Sequence, residues 1–518
     1  MGREVRPGVY PAADFPRQYQ LVLERRFPSS IGSKPLRQAV AVRSRRAPSS
    51  PQRVLRSEFE EAAVSWRGFR HAVAGQVPVF PVADAYEAGV VPIRFSGWPL
   101  PGEIPAYPAL DRDIEADVVV VGAGLAGASL ALRLAECGVR VVVLEADQPG
   151  SGASGRNAGH VQPYLGSFEP LHAHADGGKR FTDYFIEHRN VVFELCRKHG
   201  LQADAAQSGM VDAASRRHAA LDAKVKKWKA LGYDLDVVGA VRLKELLGTD
   251  AYSYGIHWRE GGRINPFLFT NGMIAAAARL GARVYGNSSV VGCERSGSSW
   301  RVRTAVGSVR TQQVVLCTNG HVGNAFFPEL ARTQFPLVAC GLATRPLPQA
   351  ALEIINPARV ALMQYPAGLY PLVIDGRNRL ITATIPAAGR AQRAVDHFAY
   401  FLRYLRRTYP QLGDTPIELE SYWTGMTANS SSVYDACYPK LYQVADGVLA
   451  LNNFGSWGNV LGPMLGVNLA ESLVAGRLAN CLLPLETPRA VQFPGLFETK
   501  IRRVLIPAAR WADKFNLV

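Results

Sequence analysis

One stretch constrains this chain more than any other: residues 117–157, DVVVVGAGLAGASLALRLAECGVRVVVLEADQPGSGASGRN. The β-branched run that opens at Asp117 and ends at Val121 has the pattern of a strand buried on both faces of a parallel sheet. It leads directly into Gly122-x-Gly124-x-x-Gly127. In such a motif the first glycine permits a tight turn, the second lets a pyrophosphate approach the backbone, and the third lets the next helix pack on the strand. The spacing predicts that Gly127 opens a helix over Ala128 to Cys137, with Leu130, Ala131 and Leu134 at helical spacing and a stop at Gly138. A second β-branched run, Val139 to Leu144, ends in Glu145, where a carboxylate accepts hydrogen bonds from an adenosine ribose and repels a 2′-phosphate. Strand, glycines, helix, strand and acid in this order predict a dinucleotide site built from Gly122, Gly124, Leu125, Ala126, Gly127 and Glu145. The fingerprint alone leaves FAD and NAD both open.

The next ten residues narrow that choice. SGASGRNAGH, Ser151 to His160, resembles the FAD-dependent amine and amino-acid oxidoreductases of the D-amino-acid oxidase superfamily, above all its gamma-glutamylputrescine oxidase-like branch. By that resemblance Ser154, Gly155, Arg156, Asn157, Ala158 and His160 belong to the FAD site. Further segments support it in the expected order, across about residues 85 to 515. Ala106 to Pro108, ahead of IEADVVVVGAG, resembles the branch's lead-in, and Gly262-Arg263-Ile264-Asn265-Pro266 its entry to a second cofactor-binding section. Val290-Val291-Gly292 matches a strand whose backbone, at Val291, meets the adenine. Val314 to Gly323 resembles the strand-turn near the cofactor that carries Thr318 and Asn319. Phe454 to Asn459, followed by a helix over Val460 to Leu473, corresponds to the C-terminal flavin-contacting segment, with Gly458, Asn459 and Val460 as contacts.

The fold implied is α/β: a Rossmann-like FAD-binding domain interleaved with an α+β substrate domain, of the glutathione-reductase-2-like or D-amino-acid oxidase-like kind. At 518 residues and 48% hydrophobic content the chain has material for about two to four domains. Alternation along the sequence assigns 116–170, 255–325 and 420–485 to the FAD-binding domain and 171–254 and 326–419 to the substrate domain. Residues 76–115 form a lead-in and 486–518 a C-terminal helical tail. Within these pieces Phe185, Val192, Phe193 and Cys196 share one helical face, and Val284 to Val291 reads as one apolar strand.

The net charge of +15 is uneven: residues 1 to 70 hold 14 Lys/Arg against 6 Asp/Glu. Proline interrupts this arm repeatedly, so residues 1–75 are expected to be a basic, disordered extension, with a helix at most over Ser57 to Arg70. RNA or membrane binding and a mitochondrial presequence are the functional readings of such an arm. No aromatic interleaving or groove-reading motif accompanies the charge, and the prolines break an amphipathic helix, so no nucleic-acid partner is expected. Seven scattered cysteines make no C-x-x-C pair and no metal spacing, which predicts a reducing, cytoplasmic setting without zinc or disulfides. No apolar run reaches the length of a membrane span.

No second G-x-G-x-x-G leads out of a β-branched strand into an apolar helix, and Gly150-x-Gly152-x-x-Gly155 does neither, so electrons are expected from the substrate itself rather than from NAD(P)H. The resemblance implies hydride transfer from the carbon next to an amine nitrogen to flavin, giving an imine that hydrolyses, with oxygen or a quinone as acceptor. A helix opening near Asn459 would stabilise negative charge on the flavin. His160 stands where some relatives bond the flavin covalently and others do not. Trp457 departs from the family pattern, which has His or Arg at that place, and is a candidate for the catalytic wall. Arg345, in Ala343-Thr344-Arg345-Pro346-Leu347, replaces the acid of relatives and is a candidate for a substrate carboxylate, with a solvated loop arginine as the better-supported reading. Tyr365, with Met363, Gln364, Tyr370, Tyr422 and Trp423, is a candidate pocket lining, for which core packing is at least as good a reading. His257, His321 and His397 sit in no catalytic or metal pattern. The alternatives are a glycine/sarcosine oxidase-like or D-amino-acid dehydrogenase activity and, in another class, a flavin-binding protein without turnover that serves as an interaction component.

Overall fold

The four-residue strand Val118–Val121 is buried along its whole length and lies in the middle of a sheet, as its unbroken apolar run requires. In this computed structural model, residues 96–99, 105–165, 171, 174–233, 235–321, 327–365, 368–386, 394–430 and 438–514 are described. The arm over 1–75, its helix at Ser57 to Arg70 and much of the lead-in lie outside them.

Two large sheets organise the described chain. The first has seven strands in the spatial order Leu485–Glu486, Lys440–Ala445, Val448–Asn452, Gln313–Leu316, Val118–Val121, Val141–Leu144 and Arg283–Tyr285. Val448–Asn452 to Arg283–Tyr285 are mutually parallel, so their carboxyl ends share one edge of the sheet. The second has eight strands in the order Leu419–Asn429, Phe335–Thr344, Leu380–Thr384, Leu372–Ile374, Ala361–Gln364, Met210–Ala214, Tyr254–Trp258 and Asp236–Gly239. All its pairings are antiparallel except that of Ala361–Gln364 with Met210–Ala214. A four-stranded sheet over Asp113–Glu115, Ser308–Thr311, Ser299–Arg303 and Gly292–Ser296 flanks the first sheet, and His160–Val161 pairs with Gly262–Arg263.

The chain alternates between the two large sheets, with crossings placed differently from the sequence expectation. Tyr254–Trp258, assigned to the cofactor half from 255 onward, pairs residue by residue with Met210–Ala214 in the eight-stranded sheet. Leu419–Asn429, assigned to the cofactor half from 420, pairs along Phe335–Thr344. Partner choice overrode composition in both, because these apolar strands suit either sheet. The apolar run expected as one strand from Val284 to Val291 ends at Tyr285. Asn287 takes a left-handed φ of 48°, its amide bonds the Asp147 carbonyl and the Ser288 amide bonds the Glu145 carbonyl, so the chain turns to follow the loop after Val141–Leu144. Phe185 and Val192, expected on one helix, belong to two, Lys179–His188 and Val191–His199.

Helix Leu125–Glu136 packs beside helix Gly458–Val474, and the two run in the same direction: Gly458 and Gly462 face Leu125, and Gly466 faces Ser129 and Leu130. Buried residues from both sheets and these helices form one continuous apolar core. Each fully buried valine in it contributes roughly 1.5–3 kcal/mol. No helix among the described residues is long and apolar enough to cross a membrane.

Candidate functional site

The glycine loop sits at the carboxyl ends of the parallel strands, the position at which open α/β sheets hold nucleotides. Its helix starts at Leu125, three residues before the expected Ala128, so Gly127 lies in the first turn instead of opening the helix. The onset is fixed from outside the motif: Ser154 Oγ accepts the Leu125 amide at 2.9 Å. Gly122 has φ +100°, and an added Cβ there would stand 2.7 Å from the Cys317 carbonyl oxygen. A Cβ on Gly127 would stand 2.0 Å from the Gly122 oxygen, which shows why the third glycine is required. Glu145 follows the second strand as expected; its carboxylate accepts the Ala123 amide at 2.7 Å and the Asp147 amide at 3.1 Å. Burial raises the Glu145 pKa, and these amide hydrogen bonds oppose the rise.

The loop after the first unit closes over the same place. An added Cβ on Gly124 would stand 2.7 Å from Ser154 Oγ, and one on Gly155 2.2 Å from the Gly150 oxygen, so the chain lies backbone to backbone here. Asn157 Oδ1 accepts from the Gly159 amide and from Asn459 Nδ2, both at 2.9 Å, and Asn459 Nδ2 also donates to the His160 carbonyl at 2.8 Å. Arg156, a predicted cofactor residue, donates from Nη1 to the Thr424 carbonyl at 3.1 Å and from Nε to the Ser151 carbonyl at 2.5 Å. Its own carbonyl accepts Trp423 Nε1 at 2.7 Å. These bonds lock the loop onto Leu419–Asn429 of the second sheet. The Asn319 side chain bridges the ends of two strands by accepting the Asn453 amide at 2.9 Å, while Asn452 accepts the Asn319 amide at 3.0 Å.

Leu125–Glu136 and Gly458–Val474 thus bring two helix N-termini together at the glycine loop. Each presents free amides and the positive end of its dipole, which suits a pyrophosphate and an electron-rich ring edge. The glycine cradle at Gly122, Gly124 and Gly127 and the Glu145 carboxylate, with Ala126, Thr318 and Gly458 beside it and Asn459 tied to Asn157, fit a dinucleotide. Asn459 Oδ1 is buried without a hydrogen-bond partner, a polar atom left over in the same region.

Other predicted residues lie differently. Arg345 is not at the cofactor loops. It follows the end of Phe335–Thr344 that pairs with Leu419, whereas the opposite end of the pair, at Asn429, approaches Gly455 and the Asn319–His321 turn. Its guanidinium lies 3.4 Å from the Glu418 carboxylate, so the reversal to base is answered by an acid of this chain. His160 turns its ring toward the second sheet, where Nε2 is 3.1 Å from the Leu362 carbonyl, and burial lowers its pKa. Val291 is exposed at the side of the four-stranded sheet, its amide donating to the Arg303 carbonyl at 2.8 Å. Tyr365 lies edge-on to His218 and lines a cleft of about 280 Å³ with Gln364, Tyr370, Tyr252 and Tyr404. Tyr422 and Trp423 separate by strand alternation: Trp423 reaches Arg156, and the Tyr422 hydroxyl reaches Cys340.

Trp457 caps the start of Gly458–Val474, with its ring centroid 5.8 Å from that of Tyr164. Tyr164, Asp212, Lys224 and Trp258, which the sequence reading did not single out, make a polar cluster behind it. The one local signal was Asp212, a charge inside the apolar strand Met210–Ala214.

His321, in the turn beside Arg156, carries a testable pH signature. Burial, with the Arg156 charge adding to it, pushes its imidazole down to about 4. An unfolded histidine takes its proton near pH 6.5. Between those values the unfolded chain holds the extra proton, so the stability fully present above about pH 6.5 falls as the pH drops toward 4, by up to roughly 3 kcal/mol. Urea unfolding of the His321→Gln chain is expected to show a shallower acid loss than the parent over that window. An identical slope in both chains would remove His321 as a source.

The profile of the FAD dependent oxidoreductase family, DAO, matches residues 117–472. A probable oxidoreductase OrdL of Haemophilus influenzae is 27% identical over 353 residues, covering 65% of this chain and 79% of the relative. The gamma-glutamylputrescine oxidoreductase of Escherichia coli is 29% identical over 326 residues, covering 62% of this chain and 75% of the relative. Among solved structures, an L-amino acid deaminase from Proteus vulgaris superposes with a TM-score of 0.58 at 20% identity, covering 78% of this chain and 98% of that one. Glycine oxidase from Bacillus cereus does so with 0.56 at 19% identity, covering 71% and 97%.

Proposed function

Because the chain belongs to the DAO family of FAD dependent oxidoreductases, we propose that it oxidises the C–N bond of a primary or secondary amine that bears no carboxylate on the reacting carbon. When bound, FAD would supply the two-electron acceptor for the hydride that leaves the carbon next to nitrogen, with oxygen or a quinone as the final acceptor. The residues that would hold it are the glycine cradle Gly122 to Gly127, Glu145, the Ser154 to Ala158 loop, and the helix start at Gly458 to Val460. The chain's further contributions would be the Trp457 and Tyr164 rings beside the helix start, and amides of the Gly458–Val474 N-terminus that would stabilise negative charge on the flavin. The imine product hydrolyses in water to a carbonyl compound and an amine or ammonia.

The observation that carries the substrate class is the state of the cations around the second sheet. Arg345 is paired with Glu418, Lys224 with Asp212, and Arg156 is held by backbone carbonyls. A substrate carboxylate at Lys224 would have to take it from Asp212 and leave a buried acid without its partner, at a cost of several kcal/mol, while Arg345, beside Glu418, stands away from the cofactor loops. Gamma-glutamylputrescine oxidoreductase, among the relatives, is named for an amine substrate.

Anaerobic titration of the holoprotein tests this, comparing alkyl and N-acylated diamines with amino acids of matched length. Amines are expected to bleach the oxidised-flavin bands at concentrations at least about tenfold lower than their α-carboxylated counterparts, about 1.4 kcal/mol of discrimination. Preferential bleaching by glycine, sarcosine or a D-amino acid would replace this reading. Flavin that no compound bleaches would favour binding without turnover, the outcome toward which Trp457 points.

A further inference from the structure

The inward face of the eight-stranded sheet is apolar along Met210–Ala214, Tyr254–Trp258 and Ala361–Gln364, with one exception. Alternation puts Met210, Asp212, Ala214, Tyr254, Ile256, Trp258, Ala361 and Met363 on that face, and Asp212 is its one carboxylate, 1% exposed. Three donors converge on it. The Tyr164 hydroxyl donates to Oδ1 at 2.8 Å, while Lys224 Nζ at 2.6 Å and Trp258 Nε1 at 3.1 Å donate to Oδ2.

Lys224 comes from helix Ala219–Ala230, and its ammonium lies 3.4 Å from the Tyr164 ring centroid and 5.2 Å from that of Trp258. A cation on a ring face, desolvated and held by a carboxylate, fixes the ring's plane as well as its position. Tyr164 in turn meets Trp258 at 4.6 Å and Trp457 at 5.8 Å and 65°. Trp457 immediately precedes the helix whose start is tied through Asn459 to Asn157 and His160. The chain of contacts Asp212, Lys224, Tyr164, Trp457 therefore runs from the interior of the second sheet to the cofactor loops. A buried ion pair is weak evidence for stability, since apolar replacements of similar volume often serve equally well. Its place behind two rings at the site gives it a different use.

We propose that Lys224, clamped on Asp212, is a positioning residue for amine oxidation: it sets the Tyr164 and Trp457 rings as the fixed aromatic wall against which the amine is held. The wall compensates for the polar residue that the family pattern has at position 457, because an indole that cannot rotate orients substrate by shape. The inference rests on the amine-oxidising reading above for its kinetic part and on geometry alone for its spectroscopic part.

The test uses FAD-loaded protein carrying Lys224→Met, Lys224→Arg, Tyr164→Phe or the charge-balanced pair Lys224→Met with Asp212→Asn. Visible circular dichroism of the bound flavin and anaerobic reduction by the best amine are measured on each. Expected are full FAD content in the pair and in Tyr164→Phe, an altered visible dichroism, and a half-saturating amine concentration raised about tenfold or more. Lys224→Arg is expected to restore both readouts, because it returns the cation to the carboxylate and the ring. Parent-like dichroism and half-saturation in the charge-balanced pair would overturn the proposal. So would an arginine variant as impaired as the methionine one, which would mark the site as packing alone. If Lys224→Met fails to fold, the charge-balanced pair and Tyr164→Phe decide. If no amine reduces the parent, the functional reading falls while the dichroism still reads the wall.

Discussion

Gly127→Ala is expected to yield folded protein that purifies without flavin. The added Cβ would lie 2.0 Å from the Gly122 oxygen and 3.3 Å from Cys317 Cβ. That oxygen cannot swing aside: Gly122 is pinned by the hydrogen bond its N–H donates to the Leu144 carbonyl at 2.8 Å and by its φ of +100°. Relief must come from the helix, which moves off the strand and carries the Ala126 and Gly127 amides out of the cradle. Overpacking against backbone costs about 3 kcal/mol, on the order of a hundredfold in affinity. Titration of apoprotein with FAD, followed by flavin fluorescence, measures it. Gly138→Ala is the control, since Gly138 has a φ of +76° with no atom within 4 Å of an added Cβ. It is expected to lose about 1 kcal/mol of stability through left-handed strain and to keep its FAD. Equal FAD content in the two variants would contradict the steric account.

Gly466→Val is expected to be the most destabilising substitution away from the glycine loop. An added Cβ at 466 would stand 2.1 Å from Ser129 Oγ, 2.6 Å from the Ala126 oxygen and 3.0 Å from the Leu130 amide nitrogen. Ser129 is fully buried, donating to the Ala126 carbonyl at 3.1 Å and to the Gly462 carbonyl at 3.4 Å, so the two helices touch backbone to backbone. Forcing them apart costs roughly 3 kcal/mol and separates the helix starts that converge on the cofactor. Urea unfolding is expected to show a lower midpoint at unchanged slope, with FAD lost in parallel. Ser129→Ala removes the nearest atom but not the Ala126 oxygen, so combined with Gly466→Ala it is expected to recover part of the loss. Strict additivity in that double-mutant cycle would show that the helices do not meet as described.

Where the sequence was read correctly, a local rule was enough. Val118–Val121 and Val141–Leu144 announce parallel strands because burial on both faces removes the need for alternation. The glycine spacing and Glu145 announce a dinucleotide site because a pyrophosphate and a ribose demand those residue types within one short stretch, and SGASGRNAGH added FAD by its resemblance to the family. Where it was misread, a distant partner decided. The glycine-loop helix starts early because Ser154 caps Leu125 from 29 residues away. The run from Val284 breaks at Asn287 because its amide finds Asp147.

The charged residues of the second sheet show the division most clearly. Arg345 invited a substrate carboxylate until Glu418, far along the chain, was found beside it. Asp212 was visible as a charge in an apolar strand, but nothing near it in sequence names Tyr164 or Lys224 as its partners, which come from a loop and a helix. The sequence by itself determined a dinucleotide site, because contacts to a nucleotide are made by consecutive backbone and are written as spacing, and the resemblance carried by Ser151 to His160 added the cofactor and the family. Which cations were already paired, and which rings form the wall beside Trp457, only the tertiary structure decided. Those are pairings across sheets and helices, set by which side chains meet once the chain has closed, and local pattern carries no record of them.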